Sequence, residues 1–168
     1  IDQASIIAFA KEFDPQPFHV DPAAAAAGPY GGLIASGWHT AALVMRLLVE
    51  NYLAAESSLG SAGLDELRWP HPVRPGDTLR VRATVVESRR SVSKPDRGIV
   101  KTMVEAANTD GATVMRATAI MRSASASLSA SVRGFCPVGF ASTIAALVAR
   151  SPWLASRGGS TAMRDRSG

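Results

Sequence analysis

The chain has 168 residues, 46% of them hydrophobic, with 18 Lys/Arg against 14 Asp/Glu. That length suits one domain with an extension, and the apolar share excludes a wholly disordered chain. The +4 excess falls entirely in residues 125–168, because thirteen basic and thirteen acidic side chains cancel over residues 1–124, so the body gives no electrostatic reason to expect a nucleic acid partner.

Cys136 is the single cysteine, which excludes an intramolecular disulfide and fits a reducing, cytoplasmic setting. The start carries no basic-then-apolar signal pattern, and no window is long and apolar enough for a membrane helix.

Residues 4–12 predict a short helix with Ile6, Phe9 and Ala10 on one face. It ends at Asp14-Pro15-Gln16-Pro17-Phe18-His19, where two prolines bias Asp14 and Gln16 away from helical geometry and make a stiff turn. This turn mounts a carboxylate and an imidazole five residues apart, as general acid–base chemistry requires, although a Pro-rich turn with a merely solvated Asp and His has the same spacing. Residues 21–27 predict a second brief helix capped by Asp21 with Pro22 at its first position, broken by Gly28-Pro29-Tyr30-Gly31-Gly32.

The longest helix is expected over residues 36–53, with Ser36 as N-cap and Arg46 and Glu50 at i,i+4 spacing. Apolar residues on nearly every side imply that it is buried over most of its surface by a curling sheet. Strands are expected over 64–73, 78–88, 98–107 and 112–123, with turns at Arg74-Pro75-Gly76-Asp77, at 94–98 and at Asn108-Thr109-Asp110-Gly111. One buried helix followed by an antiparallel meander makes an α+β domain over residues 1–124. Residues 125–168 read as a low-complexity basic tail with a short helix near 140–149.

The segment Leu33 to Thr40 places Gly37 in the first turn of the long helix, just after Ser36. Unpaired helix N-terminal amides donate at the positive end of the dipole, and glycine lets a ligand atom approach. Such a site can polarise a carbonyl or hold a developing oxyanion, and acid, base and oxyanion donor are the three parts needed to add or remove water beside a thioester carbonyl.

At these residues the sequence resembles the MaoC-like dehydratase, or (R)-specific enoyl-CoA hydratase, family of hot-dog-fold proteins. The family signature Asp-x-Asn-Pro-x-His corresponds to residues 14–19 with Gln16 in place of Asn, and Ser36-Gly37 matches the start of its central helix. Val73-Arg74-Pro75-Gly76-Asp77 looks like the turn that introduces its later strands, so the resemblance spans roughly residues 3–123. It differs at its start, since the family has a strand before the first helix and this sequence begins almost at that helix.

The resemblance implies a long helix wrapped by a curved antiparallel sheet, assembled as a homodimer or higher homo-oligomer that binds acyl-CoA. It also implies hydration of a trans-2-enoyl-CoA to an (R)-3-hydroxyacyl-CoA, or the reverse. Asp14 and His19 would be catalytic, the Gly37 amide would hold the thioester oxygen, and Ser36 would orient the site or simply cap the helix. No cofactor or metal is implied, and neither a membrane nor a nucleic acid partner. The alternatives are a non-catalytic acyl-CoA-binding subunit of a heteromer and a hot-dog thioesterase.

Other residues take plainer expectations. His39 reads as a structural histidine bonded to backbone and His71, between Pro70 and Pro72, as a surface loop residue. Trp38 and Trp69 read as packing residues, with Trp38 also placed to line an acyl tunnel. Arg68, Arg74, Arg89, Arg90 and Lys94 read as a solvated face rather than a phosphate site.

Overall fold

Local capping starts the chain's helices where the sequence places its acids and prolines. In the computed structural model, which describes residues 1–124 and the backbone of residues 143–148, Asp2 caps α1 (Gln3–Phe13) by accepting from the Ser5 amide at 2.8 Å. Asp21 caps α3 (Pro22–Ala27) through the amides of Ala23 and Ala24. Between them the stiff turn closes into a single helical turn, α2 (Pro17–Val20), with Pro17 at its first position.

Helix α4 (Gly37–Asn51) is the central helix, with Ser36 as its N-cap and Tyr52 as its C-cap. Its buried residues His39, Thr40, Val44, Leu47 and Leu48 repeat at helical spacing and face the core. Burial over most of its surface does not hold for this chain alone. Trp38, Met45 and Val49 are 59%, 48% and 56% exposed, and with exposed Ala42 they form one apolar stripe. A single open sheet covers one side of a helix and leaves the other bare.

That sheet has the order β1-β4-β3-β2-β5 and is antiparallel at every pairing. Its strands are β1 (Ser58–Arg68), β2 (Arg80–Arg90), β3 (Arg97–Ala107), β4 (Thr113–Ala124) and β5 (Thr143–Val148). Strand β3 alternates half-buried and buried residues along its whole length, placing Val100, Thr102, Val104 and Ala106 against the helix layer. The β3–β4 turn forms as expected: Asn108 accepts from the Ala112 amide, and Gly111 adopts φ +84°.

Two elements differ from the sequence reading. The first strand begins at Ser58 and ends at Arg68, because Pro70 and Pro72 cannot donate to a ladder. The short helix expected near 140–149 is instead a strand: β-branched Thr143, Ile144 and Val148 favour extension, and the free edge of β2 offers backbone partners from Arg80↔Val148 to Thr84↔Thr143. The remainder of the expected 125–168 tail lies outside the described residues.

One core cluster joins Ile6 of α1, Val44, Leu47 and Leu48 of α4, and Val81, Val104, Val114 and Ala117 of the sheet. Its polar link is the Tyr52 hydroxyl, 3.0 Å from the Thr102 hydroxyl, with both residues almost wholly buried. Tyr52→Phe leaves the Thr102 hydroxyl without its partner, and the expected loss is about 1–3 kcal/mol of unfolding free energy, read from the urea midpoint.

Candidate active site

The C-terminal end of α1, the turn of α2 and the N-terminal end of α4 converge on one carboxylate. Asp14 closes α1 as its C-cap, its amide bonded to the Ala10 carbonyl. Its Oδ2 accepts from the Ser36 hydroxyl at 2.7 Å, and its Oδ1 accepts from the Gln16 side-chain amide at 2.7 Å. Nε2 of His19 lies 3.4 Å from Oδ2, with side-chain exposures of 6% for His19 and 19% for Asp14. The two are therefore not merely solvated turn residues.

The imidazole is held from its other side. His19 Nδ1 is 2.8 Å from the Ile34 carbonyl oxygen, and a carbonyl only accepts, so Nδ1 carries the proton. In the neutral ring Nε2 is consequently an acceptor facing a second acceptor. In the imidazolium the same nitrogen is a donor directed at the carboxylate, so the pair, 3.4 Å apart, can pass a proton to or from a reactant placed beside it.

Electrostatics favour an ionised Asp14. Burial pushes its carboxyl up, but hydrogen bonds from Ser36 and Gln16, with the charge of His19, outweigh that and lower its pKa. Ser36 is fully buried and does two jobs with one oxygen: it accepts from the Trp38 amide at 3.2 Å while donating its proton to Asp14.

Gly37 follows it, and the structure gives a reason for glycine there other than ligand approach. A Cβ on Gly37 would lie 2.7 Å from two indole carbons of Trp69, so the ring rests directly on the helix start. Trp69 in turn meets Trp38 edge to face at 5.3 Å.

These groups open into a cavity of about 590 Å³, whose lining includes Asp14, His19, Gly37, Trp38, Trp69 and His71. His71 is an exposed loop residue, as its flanking prolines predict, and it also lines this cavity, with Nδ1 2.9 Å from the Thr113 carbonyl. The signal for it was tertiary: the Ala35 amide bonds to the Val73 carbonyl at 2.8 Å, which draws the Pro70–Pro72 loop against the segment leading into α4. Tyr30 and Phe18, which the sequence did not single out, also line it and meet at 5.3 Å.

The cation candidates are all exposed. Arg68 pairs with Glu66 and Arg89 with Glu87, while Arg74 donates to the Tyr30 carbonyl at 2.7 Å and so braces the cavity wall. Among the described residues no three His, Cys, Asp or Glu side chains gather as a metal site, and no helix is long and apolar enough to cross a membrane.

A curved antiparallel sheet against one helix, with an Asp/His pair at the mouth of that helix, defines a hot-dog protein. The profile described as MaoC like domain matches residues 1–108, and the chain belongs to that family of MaoC-like dehydratases. The chain is similar to the crystal structure of a MaoC-like dehydratase from Rhodospirillum rubrum, at 50% identity and TM-score 0.70, over 74% of this chain and 84% of that one. The unliganded R-hydratase PhaJ1 of Pseudomonas aeruginosa shows 27% identity and TM-score 0.57, over 72% and 73% of the two chains. A 3-hydroxyacyl-thioester dehydratase Z of Mycobacterium tuberculosis is 42% identical over 74 residues, 44% of this chain and 49% of that protein. The chain thus spans about half the length of the curated relatives it matches.

His39 differs from its expected backbone bond. It is 6% exposed, stacks on Phe9 with centroids 4.5 Å apart and planes 4° from parallel, and its Nδ1 has no hydrogen-bond partner. Burial lowers its pKa from 6.5 to about 4, against the opposing charge of Asp2. The unfolded chain therefore binds this proton more readily, and stability falls as pH drops from 6.5 towards 4. His39→Leu should remove about 3 kcal/mol of that acid sensitivity, seen as a smaller shift of the urea midpoint between neutral pH and the acid end of that window than in the wild type.

Proposed function

We propose that this protein hydrates trans-2-enoyl-CoA thioesters to (R)-3-hydroxyacyl-CoA, or runs the reverse dehydration. The observation that carries the reading is the close approach of Asp14, held as the anion, and a carbonyl-anchored His19, 3.4 Å apart at the cavity. A water placed beside the pair donates to His19 Nε2, with its oxygen turned towards the cavity.

As that oxygen bonds to the β-carbon, His19 Nε2 takes one of its protons. The electron pair of the carbon–carbon double bond moves to the α-carbon and the thioester oxygen, which the Gly37 amide stabilises as an enolate. The imidazolium, steadied by the Asp14 carboxylate, then returns the proton to the α-carbon. The sum is one water added and both side chains restored. Ser36 keeps Asp14 in place and ionised. The R-hydratase and 3-hydroxyacyl-thioester dehydratase relatives support the substrate class and the stereochemistry.

We further infer a homodimer. The α4 stripe of Trp38, Ala42, Met45 and Val49 is open, and edge strand β1 is exposed at every residue except Leu67. A second copy covers both. The single Cys136 fits a cytoplasmic setting for this assembly.

Crotonyl-CoA hydration, followed by loss of enone absorbance, tests the reading. Asp14→Asn and His19→Ala should each lower kcat about 10²–10⁴-fold with the fold intact by circular dichroism. Wild-type activity no greater than that of either variant across a chain-length panel ends the enzyme reading and favours a non-catalytic acyl-CoA-binding subunit. Release of free CoA identifies a thioesterase instead.

A further inference from the structure

Gln16 is the one position in the Asp14–His19 turn where the sequence leaves the family signature, and the structure gives it contacts with both members of the pair. Its backbone carbonyl accepts from the His19 amide at 2.8 Å and from the Val20 amide at 3.2 Å, which fixes the turn that carries the imidazole. Its backbone amide donates to the Asp14 carbonyl at 2.8 Å. Its side chain occupies the N-cap position of α2 and makes no capping bond there. A shorter Asn at an N-cap satisfies the first amides of its own helix. The longer Gln turns back and gives its Nε2 proton to Asp14 Oδ1 at 2.7 Å.

The two oxygens of Asp14 are thereby made unequal. Oδ1 is engaged by Gln16, which also lines the cavity, while Oδ2 receives the Ser36 proton and faces His19. We propose that Gln16 is a positioning residue for this pair: its amide locks the carboxylate so that Oδ2 alone faces the imidazole, and it holds Asp14 as an anion rather than a proton donor.

This rests on the hydration reading only for its kinetic consequence; the effect on Asp14 itself stands apart from any reaction. The groups around Asp14 leave few other sources for such an effect. His19 of α2 is the titratable group that faces it, α4 brings the Ser36 hydroxyl, and Lys11 and Glu12 of α1 are exposed. A hydrogen bond to a charged oxygen stabilises the anion, and removing it raises the pKa of the acid. Gln16 is itself exposed, so replacing it opens no cavity.

The test is a carbon-13 NMR titration of the Asp14 carboxyl in the full chain, comparing wild type with Gln16→Met, which keeps the length but has no donor, and Gln16→Glu, which keeps the shape and adds charge. The expected result is an apparent Asp14 pKa raised by about half a unit to one unit in Gln16→Met and by more in Gln16→Glu, with thermal midpoints close to wild type. In crotonyl-CoA hydration Gln16→Met should lower kcat about three- to tenfold and leave KM within about twofold, the pattern of a group that acts through another. An Asp14 titration unchanged in Gln16→Met overturns the proposal. A wild type inactive on every enoyl thioester overturns the hydration reading instead, and the titration still decides the role of Gln16.

Discussion

The hydrogen bond from Ser36 to Asp14 is the constraint on which the rest of the site depends. It ties the C-cap of one helix to the N-cap of another, twenty-two positions away, across 2.7 Å. Because the same hydroxyl caps α4, the start of the central helix and the orientation of the carboxylate are set by one atom. Break it, and both the amide donors at the helix mouth and the acid beside His19 lose their reference point. A solvated surface pair has no such dependence, and surface ion pairs are accordingly weak.

Around that bond the site's side chains are anchored by backbone carbonyls rather than by further charges. His19 is held by Ile34, His71 by Thr113 and the His19 amide by Gln16. Carbonyls fix a tautomer without competing for the proton in the way a second carboxylate would. The segment from Leu33 to Ala35 that supplies one of these anchors is itself buried and bonded on both sides, to Phe18 and to Val73. Rigid placement is what proton transfer at a defined carbon demands.

Much of this was legible in the sequence, and the reasons are local. Asp2, Asp21 and Ser36 cap the helices they precede, and Asn108 to Gly111 forms the turn its residues require. Spacing puts Asp14 and His19 on a stiff turn and Ser36 and Gly37 at a helix start, and the structure brings the four together there. Spacing alone also fits a solvated Asp and His, and the resemblance supplied the roles. What could not be read depends on distant contacts. Trp69 and His71 join the cavity only because the Val73 carbonyl pairs with Ala35. The bare stripe of α4 is invisible to periodicity, which records that residues are apolar and not how far a sheet reaches around them. The strand at Thr143–Val148 needs the free edge of β2 as well as its own β-branched residues, and that edge is a distant partner.

The indole of Trp69 seated on Gly37 carries a consequence for how this site changes over generations. The missing side chain at one position and the large ring at the other fill a single volume. Neither residue is free to drift while the other stays fixed: a larger residue at 37 is admissible only in a lineage where position 69 has already shrunk. The two should therefore vary as a couple across descendants of a common ancestor, although thirty-two positions of sequence separate them. The route between one helix mouth and another then passes through paired substitutions, which slows its exploration even where each final arrangement would be sound.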